Sequence, residues 1–114
     1  FLRDKGYTIL AANYRCRFGE IDIIAADSQY IAFVEVKTRS QDALFLPREA
    51  VTAAKQRRII KTAALFLQGF ETSQNLQPRF DVIEVVTAKH NPMQVVELDH
   101  IMGAFETEGL YAAF

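Results

Sequence analysis

The sequence lacks most of the features that would place it in a specialised class of protein. It has one cysteine, Cys16, which rules out an internal disulfide and forms no CxxC metal motif. No apolar run approaches the roughly 18 residues of a membrane span, and no signal peptide is visible. We therefore expect a cytoplasmic protein with no membrane association, in a reducing environment.

An excess of charge of either sign is also missing. The 114 residues carry a formal net charge of −1, and 50% of them are hydrophobic and 24% charged. This composition is typical of a globular protein, and we expect a single domain spanning residues 1–114. Because the net charge provides no attraction to nucleic acid, any such binding must depend on local basic clusters.

Two strand-like apolar runs dominate residues 19–39. In the first run, Glu20 and Asp22 occupy alternate positions, so they share one face of a strand. In the second run, Glu35 and Lys37 share a face for the same reason. If a two-residue loop joins the runs, Asp22 lies opposite Glu35, and Glu20 lies opposite Lys37. A loop with an odd number of residues would put Asp22 and Glu35 on opposite faces.

Opposed carboxylates in a hairpin have a physical consequence. Their Cβ atoms lie roughly 5 Å apart and the charges repel, so the pairing is unfavourable unless a cation sits between them. A divalent metal would remove that repulsion, and the neighbouring Lys37 would reduce it. The alternative is a solvent-exposed face with ordinary cross-strand ion pairs, which the spacing alone favours equally.

The motifs GEIDIIA and FVEVKTR resemble those of the YraN-like family of predicted bacterial endonucleases. Further matching segments are Gly6-Tyr7, Asn13-Tyr14-Arg15, Pro47-x-Glu49-Ala50-Val51, Lys55-Gln56-Arg57-Arg58 and Arg79-Phe80-Asp81-Val82. The resemblance runs from about Gly6 to Phe105. That family is similar to the archaeal Holliday-junction resolvases, so the expected fold is α/β. It is a restriction-endonuclease-like (PD-(D/E)xK) mixed β-sheet of about four or five strands flanked by helices.

The resemblance also implies roles for individual residues. Asp22 matches the first acid of the motif, Glu35 the second acid and Lys37 the lysine, while Ile21 replaces the usual proline. Asp22 and Glu35 would bind Mg²⁺ or Mn²⁺, and Lys37 would act on the attacking water or the transition state. The implied activity is hydrolysis of phosphodiester bonds in DNA, with branched or junction DNA among the substrates. A homodimer is a further expectation, because the junction-resolving relatives work as dimers.

Other candidates surround this core of the site. Glu20 would be an outer acid or a restraint on Lys37. Gln56 lies on the apolar stripe of a helix expected from about residue 48 to residue 70, where it would reach the metal site or remain a structural amide. The candidates for phosphate contact are five basic residues: Arg15, Arg17, Arg39, Arg48 and Lys55. The helix residues Arg57, Arg58 and Lys61 are instead predicted to form a solvated face.

The ends of the chain carry weaker patterns. Phe1-Leu2 would be the end of a truncated N-terminal helix that stops at Gly6. Residues 79–88 read as a strand parallel to the Glu35 strand, and residues 94–98 as a last edge strand. Asp99 would cap a short helix through residue 105. His90 and His100 have no metal-ligand spacing and are predicted to be structural or on the surface.

The same fold also permits functions other than catalysis. One alternative is a nucleic-acid-binding or interaction module that never cuts. Another is a charged structural hairpin on a dimerising domain, which would require Asp22 and Glu35 to be well exposed and far apart.

Overall fold

The computed structural model describes residues 1–42, 51–70 and 75–106. Within these ranges the elements are β1 (Thr8–Cys16), β2 (Gly19–Ala26), β3 (Tyr30–Ser40), α1 (Ala53–Gln68), β4 (Gln77–Ala88) and β5 (Asn91–Phe105). A single 3-10 turn, Arg3–Lys5, precedes β1. Gly6 ends this turn with a φ of 93°, which the absence of a Cβ atom makes accessible.

The strands form one five-stranded mixed sheet in the order β1-β2-β3-β4-β5. β1, β2 and β3 are antiparallel neighbours, and so are β4 and β5. β3 and β4 run parallel, with α1 in the connection between them. The predicted α/β fold with a mixed sheet is confirmed. The prediction that several helices flank the sheet exceeds what is found, because α1 is the single α-helix of the described residues.

The β2–β3 hairpin has the register that a two-residue loop predicts, with Ile23 opposite Val34. Ser-Gln is a poor sequence for such a loop, but the preceding Asp27 compensates. Its carboxylate accepts hydrogen bonds from the backbone N–H groups of Gln29 at 2.8 Å and Tyr30 at 2.7 Å. The N–H groups of Tyr30 and Gln29 lower the pKa of Asp27, so this turn holds a charged cap at neutral pH.

α1 is shorter than its sequence pattern predicts, since it spans Ala53–Gln68 rather than about residues 48–70. Thr52 is the N-cap, and its hydroxyl accepts a hydrogen bond from the backbone N–H of Lys55 at 3.2 Å. Residues 48–50, where the helix was expected to begin, lie outside the described residues. Within residues 1–42, 51–70 and 75–106, we find no helix with the length and hydropathy of a membrane span.

The sheet is covered on both faces. On one face, α1 packs its buried residues Ile60 and Ala63 against Phe33 and Phe80 of the sheet. The predicted apolar stripe of the helix is thus confirmed at its centre. On the other face, Leu2 of the N-terminal segment packs into a separate buried cluster. The side chains of β3 alternate between these two clusters, Ile31 and Phe33 in the first and Ala32 and Val34 in the second, as the period of two requires.

β5 differs most from its prediction. The expected short helix after Asp99 is wrong, because β5 continues as one strand over Asn91–Phe105. Its last residue pairs with Phe80 of β4, and the Phe80 and Phe105 rings stack with centroids 5.0 Å apart. Pairing with the otherwise open edge of β4 satisfies the backbone groups of this segment, which outweighs the local capping signal of an aspartate.

Candidate active site

The site begins where β2 and β3 separate. Their backbone ladder ends at the pair Ile23 and Val34. Asp22 immediately precedes Ile23 on β2. Here a side chain rather than a backbone carbonyl accepts the hydrogen bond from β3: the Oδ2 of Asp22 accepts the N–H of Val36 at 2.8 Å. This hydrogen bond orients the Asp22 carboxylate at the point where the backbone pairing of the two strands ends and a gap begins.

A pocket of about 280 Å³ occupies this gap. Asp22 and Glu35 both line it, together with the exposed Glu20. α1 closes one side with Lys55 and Arg58. The structure therefore brings the two motif acids to one pocket and adds two cations from the helix.

Glu35 carries an unusual combination of contacts. Its Oε1 forms an ion pair with the Nζ of Lys55. Its Oε2 is buried and has no hydrogen-bond partner within the described ranges. The Glu35 side chain is only 14% exposed, whereas that of Lys55 is 43% exposed. A buried carboxylate oxygen without a partner is unfavourable by about 1–3 kcal/mol, so this oxygen has the capacity to accept a further donor or cation.

The donor set fits a hard divalent cation better than zinc. The described residues hold no cluster of three or more His, Cys, Asp or Glu side chains that could bind a metal. A closed structural zinc site needs four such ligands, as a rule. Mg²⁺ is commonly held by one or two carboxylates and keeps several waters, and Asp22 and Glu35 provide that number.

Lys37 lies two residues beyond Glu35 on β3, opposite Glu84 of the parallel neighbour β4. It is half-buried and is not among the described residues that line the pocket. Gln56 also stays outside that lining. Its Nε2 donates to the carbonyl oxygen of Val51 at 2.9 Å, which satisfies the amide locally at the start of α1.

The predicted phosphate contacts are distributed unevenly. Arg15 lies opposite Glu20 across the β1–β2 ladder, and its Nε forms an exposed ion pair of 3.2 Å with the Glu20 carboxylate. Arg17 is exposed at the β1–β2 turn, and Arg39 is half-buried near the end of β3. Lys55 lies in the pocket itself, as described above. Arg48 lies outside the described residues.

Two residues of the site escaped the sequence analysis. Arg58 was expected only on a solvated face, yet it lines the pocket while remaining exposed. Asp81 also lines the pocket, although its side chain is fully buried within the sheet. The available signal was the spacing of Arg79 and Asp81, which lie on the same face of a strand because they are two residues apart.

Three residues contact the buried carboxylate of Asp81. Arg79 donates two hydrogen bonds to the Asp81 carboxylate, at 2.9 Å and 2.8 Å, and the backbone N–H of Gly103 donates a third at 3.0 Å. The Nε2 of His100 contacts the same carboxylate at 2.8 Å. Burial alone would raise the pKa of Asp81, but the hydrogen bonds from Arg79, Gly103 and His100 outweigh it and lower the pKa.

The residues that contact Asp81 form a hydrogen-bond network that extends to the N-terminal segment. Arg79 also donates to the hydroxyl of Tyr7, and Lys5 contacts the Nδ1 of His100. If Lys5 donates to Nδ1, the Nε2 of a neutral His100 carries the proton that Asp81 accepts. This network joins β4, β5 and the N-terminal segment, so its place in the molecule is structural.

Comparison with known proteins identifies the family. Residues 1–85 match the model of the uncharacterised protein family UPF0102. A UPF0102 protein of Caldanaerobacter subterraneus subsp. tengcongensis is 44% identical over 107 residues, which cover 92% of this chain and 84% of that protein. A Clostridium botulinum UPF0102 protein is 43% identical over 106 residues, covering 93% of this chain and 85% of the relative. A UPF0102 protein of Nocardia farcinica is 46% identical over 106 residues, which cover 92% of this chain and 80% of that protein. The chain therefore belongs to UPF0102, the YraN-like family that its motifs resemble.

Proposed function

We propose that this protein is a metal-dependent nuclease that hydrolyses phosphodiester bonds in DNA, with branched DNA among its substrates. The observation that carries the proposal is the shared pocket of Asp22 and Glu35, in which Glu35 keeps a buried oxygen without a partner. In native proteins the large majority of buried polar atoms have a hydrogen-bond partner, an ordered water or an ion. A divalent cation held by both carboxylates supplies such a partner.

The two acids would contribute differently to binding the cation. The hydrogen bond from Val36 holds the Asp22 carboxylate in a fixed orientation, which reduces the entropy lost when it binds a ligand. Glu35 would offer Oε2 directly. Its other oxygen, Oε1, is neutralised by Lys55, which is exposed enough to move away when a stronger positive charge arrives.

A bound Mg²⁺ or Mn²⁺ supplies charge neutralisation at the scissile phosphate and activates a water for attack. The residues of the chain position the substrate around it. Lys55 and Arg58 lie at the helix side of the pocket, where their positive charges would bind phosphate oxygens. Lys37 lies outside the pocket lining but shares a face of β3 with Glu35, and from there it would orient the attacking water or stabilise the charge that develops in the transition state.

The test is a cleavage assay over branched, single-stranded and duplex DNAs, with Mg²⁺ or Mn²⁺ and with EDTA as the blank. We expect metal-dependent cleavage by the wild-type protein. Glu35→Gln should abolish it, and Lys37→Ala should reduce turnover by orders of magnitude while binding persists. Glu97→Gln is the matched control, because it removes one negative charge from an exposed position on β5.

Three outcomes would count against the nuclease. One is the absence of cleavage with either metal on every substrate. Another is cleavage that survives unchanged in both site variants, which would identify a contaminating enzyme. The third is DNA binding without any cleavage, which would favour a binding module in which the Lys55–Glu35 ion pair is permanent.

A further inference from the structure

We infer that the tip of the β1–β2 hairpin and the adjacent face of α1 bind an unpaired, single-stranded segment of DNA next to the pocket. This inference rests on the proposed nuclease function and names the class of its substrate. The surface consists of Arg17, Phe18, Arg58 and Lys61, and it is called the hairpin patch below.

The hairpin patch is a defined assembly of two elements. The guanidinium of Arg17 lies 4.7 Å from the centroid of the Phe18 ring, and the ammonium of Lys61 on α1 lies 6.0 Å from it. The thiol of Cys16 contacts the hydroxyl of Thr62 at 3.7 Å, which holds the hairpin against the helix. The aromatic ring thus lies beside cations from two different elements, the hairpin turn and α1.

The charge of this surface is not balanced by acids. Arg17, Arg58 and Lys61 are all exposed, and none of them forms an ion pair with an acid of the described residues. The nearest acid on the hairpin, Glu20, is already paired with Arg15. On a chain with a net charge of −1, three such cations in one patch form a local positive field that attracts an anion, and Arg58 is the one of them that lines the pocket.

The hairpin patch is continuous with the pocket. Arg58 and Gly19 both line the pocket, and a Cβ atom placed on Gly19 would lie 3.7 Å from the Cβ of Arg58. A chain of phosphates that binds Arg17 and Lys61 therefore leads past Arg58 towards Asp22 and Glu35. The scissile bond would lie where that strand enters the pocket.

The aromatic ring favours a single strand over a duplex. Cations alone bind the phosphates of any nucleic acid. A half-exposed aromatic ring beside cations is typical of surfaces that bind single strands, because an unpaired base has a free face that can stack on the ring. The bases of a duplex are already stacked on each other and have no such free face. An unpaired base would stack on the Arg17–Phe18 pair while its neighbouring phosphates contact the lysine and the arginines.

The test is binding without cleavage, measured by fluorescence anisotropy in EDTA. The probes are a labelled oligothymidine of roughly 20 nucleotides and a blunt duplex of the same length, which exceed the usual site size of a small domain. We expect the wild-type protein to bind the single strand more tightly. Phe18→Ala should weaken binding of the single strand at least about fivefold and leave duplex binding almost unchanged. Phe18→Tyr should retain the affinity of the wild type.

The cations provide a second readout that does not depend on the aromatic substitution. Arg17→Ala and Lys61→Ala each change an exposed side chain, and each should reduce the slope of log affinity against log salt concentration by about 0.7. Arg3→Ala is the matched control, because Arg3 is exposed next to Leu2, which packs on the face of the sheet opposite α1. This control should keep the wild-type slope.

The outcomes separate the inference from the nuclease function. Equal affinity for duplex and single strand, or a Phe18→Ala variant that binds like Arg3→Ala, would overturn the inference while leaving the metal site intact. Selective single-strand binding without cleavage in Mg²⁺ or Mn²⁺ would support the hairpin patch and refute the nuclease. Glu97→Gln should bind the single strand as the wild type does, because Glu97 is exposed on β5 and belongs neither to the pocket lining nor to the hairpin patch.

Discussion

Asp81, whose side chain is fully buried, and Glu35, whose side chain is 14% exposed, should differ greatly in the stability lost when each is made neutral. Asp81→Asn would leave the guanidinium of Arg79, which is only 14% exposed, without its charged partner. Breaking a buried pair by removing one partner typically destabilises a protein by about 3–5 kcal/mol. For a domain of this size, we expect the melting temperature of Asp81→Asn to fall by about 10–20 °C.

Glu35→Gln should behave differently in the absence of metal. It removes a charge whose Oε2 has no partner, and it leaves Lys55, which is 43% exposed, able to turn towards solvent. Because the ion pair is partly solvated, its loss is worth about 1 kcal/mol or less, and removing the unsatisfied charge offsets it. The unfolding free energy should therefore change by no more than about 1 kcal/mol in either direction.

The measurement is urea and thermal denaturation of both variants in EDTA at neutral pH, followed by circular dichroism. Equal m-values would establish that the variants differ in stability and not in the compactness of the unfolded chain. A loss of stability in Glu35→Gln as large as that in Asp81→Asn would refute the reasoning. Glu35 would then be a structural acceptor, and its partnerless oxygen would have no functional meaning.

Three further predictions concern the same elements. Since the pKa of Asp81 is lowered on folding, its contribution is fully present above about pH 4, the unfolded value, and is lost as the pH falls through the lower folded value. Acid-denaturation curves of the wild type and Asp81→Asn should therefore converge at low pH, and a constant gap would contradict the shift. Lys55→Ala removes the cation that competes for Glu35, so calorimetry should show Mn²⁺ binding tightened several-fold; weaker binding would mean that the lysine supports the site. Thr52→Ala removes the N-cap of α1 and should lower the unfolding free energy by about 1 kcal/mol in urea, whereas an unchanged value would show that the cap is replaced by water.

Local rules were sufficient to predict the register of the hairpin that carries the candidate site. The assumption of a two-residue loop gave the pairing that β2 and β3 adopt up to Ile23 and Val34, because loop length and strand parity are set by residues close in sequence. Asp27 then stabilises the loop through hydrogen bonds to its own neighbours. A register determined within about a dozen residues is the kind of feature that a sequence specifies by itself.

Features that depend on distant partners could not be predicted in the same way. The segment after Asp99 has a local helix-capping signal, and only the open edge of β4 makes it a strand. Asp81 becomes a buried acid because His100 and Gly103 reach it from β5. Arg58 lines the pocket because α1 begins at Ala53 and packs over the gap between β2 and β3. Each of these outcomes is decided by tertiary contacts rather than by the neighbouring sequence.

Coordination of one divalent cation by Asp22 and Glu35 is tested most directly by titrating the protein with Mn²⁺ and following free Mn²⁺ by electron paramagnetic resonance. The wild-type protein should bind Mn²⁺ at a site that Asp22→Asn and Glu35→Gln each weaken at least about tenfold, since even indirect partners of a metal contribute that much. The exposed control Glu97→Gln should bind like the wild type. Unchanged Mn²⁺ affinity in a variant that carries both Asp22→Asn and Glu35→Gln would contradict the metal site.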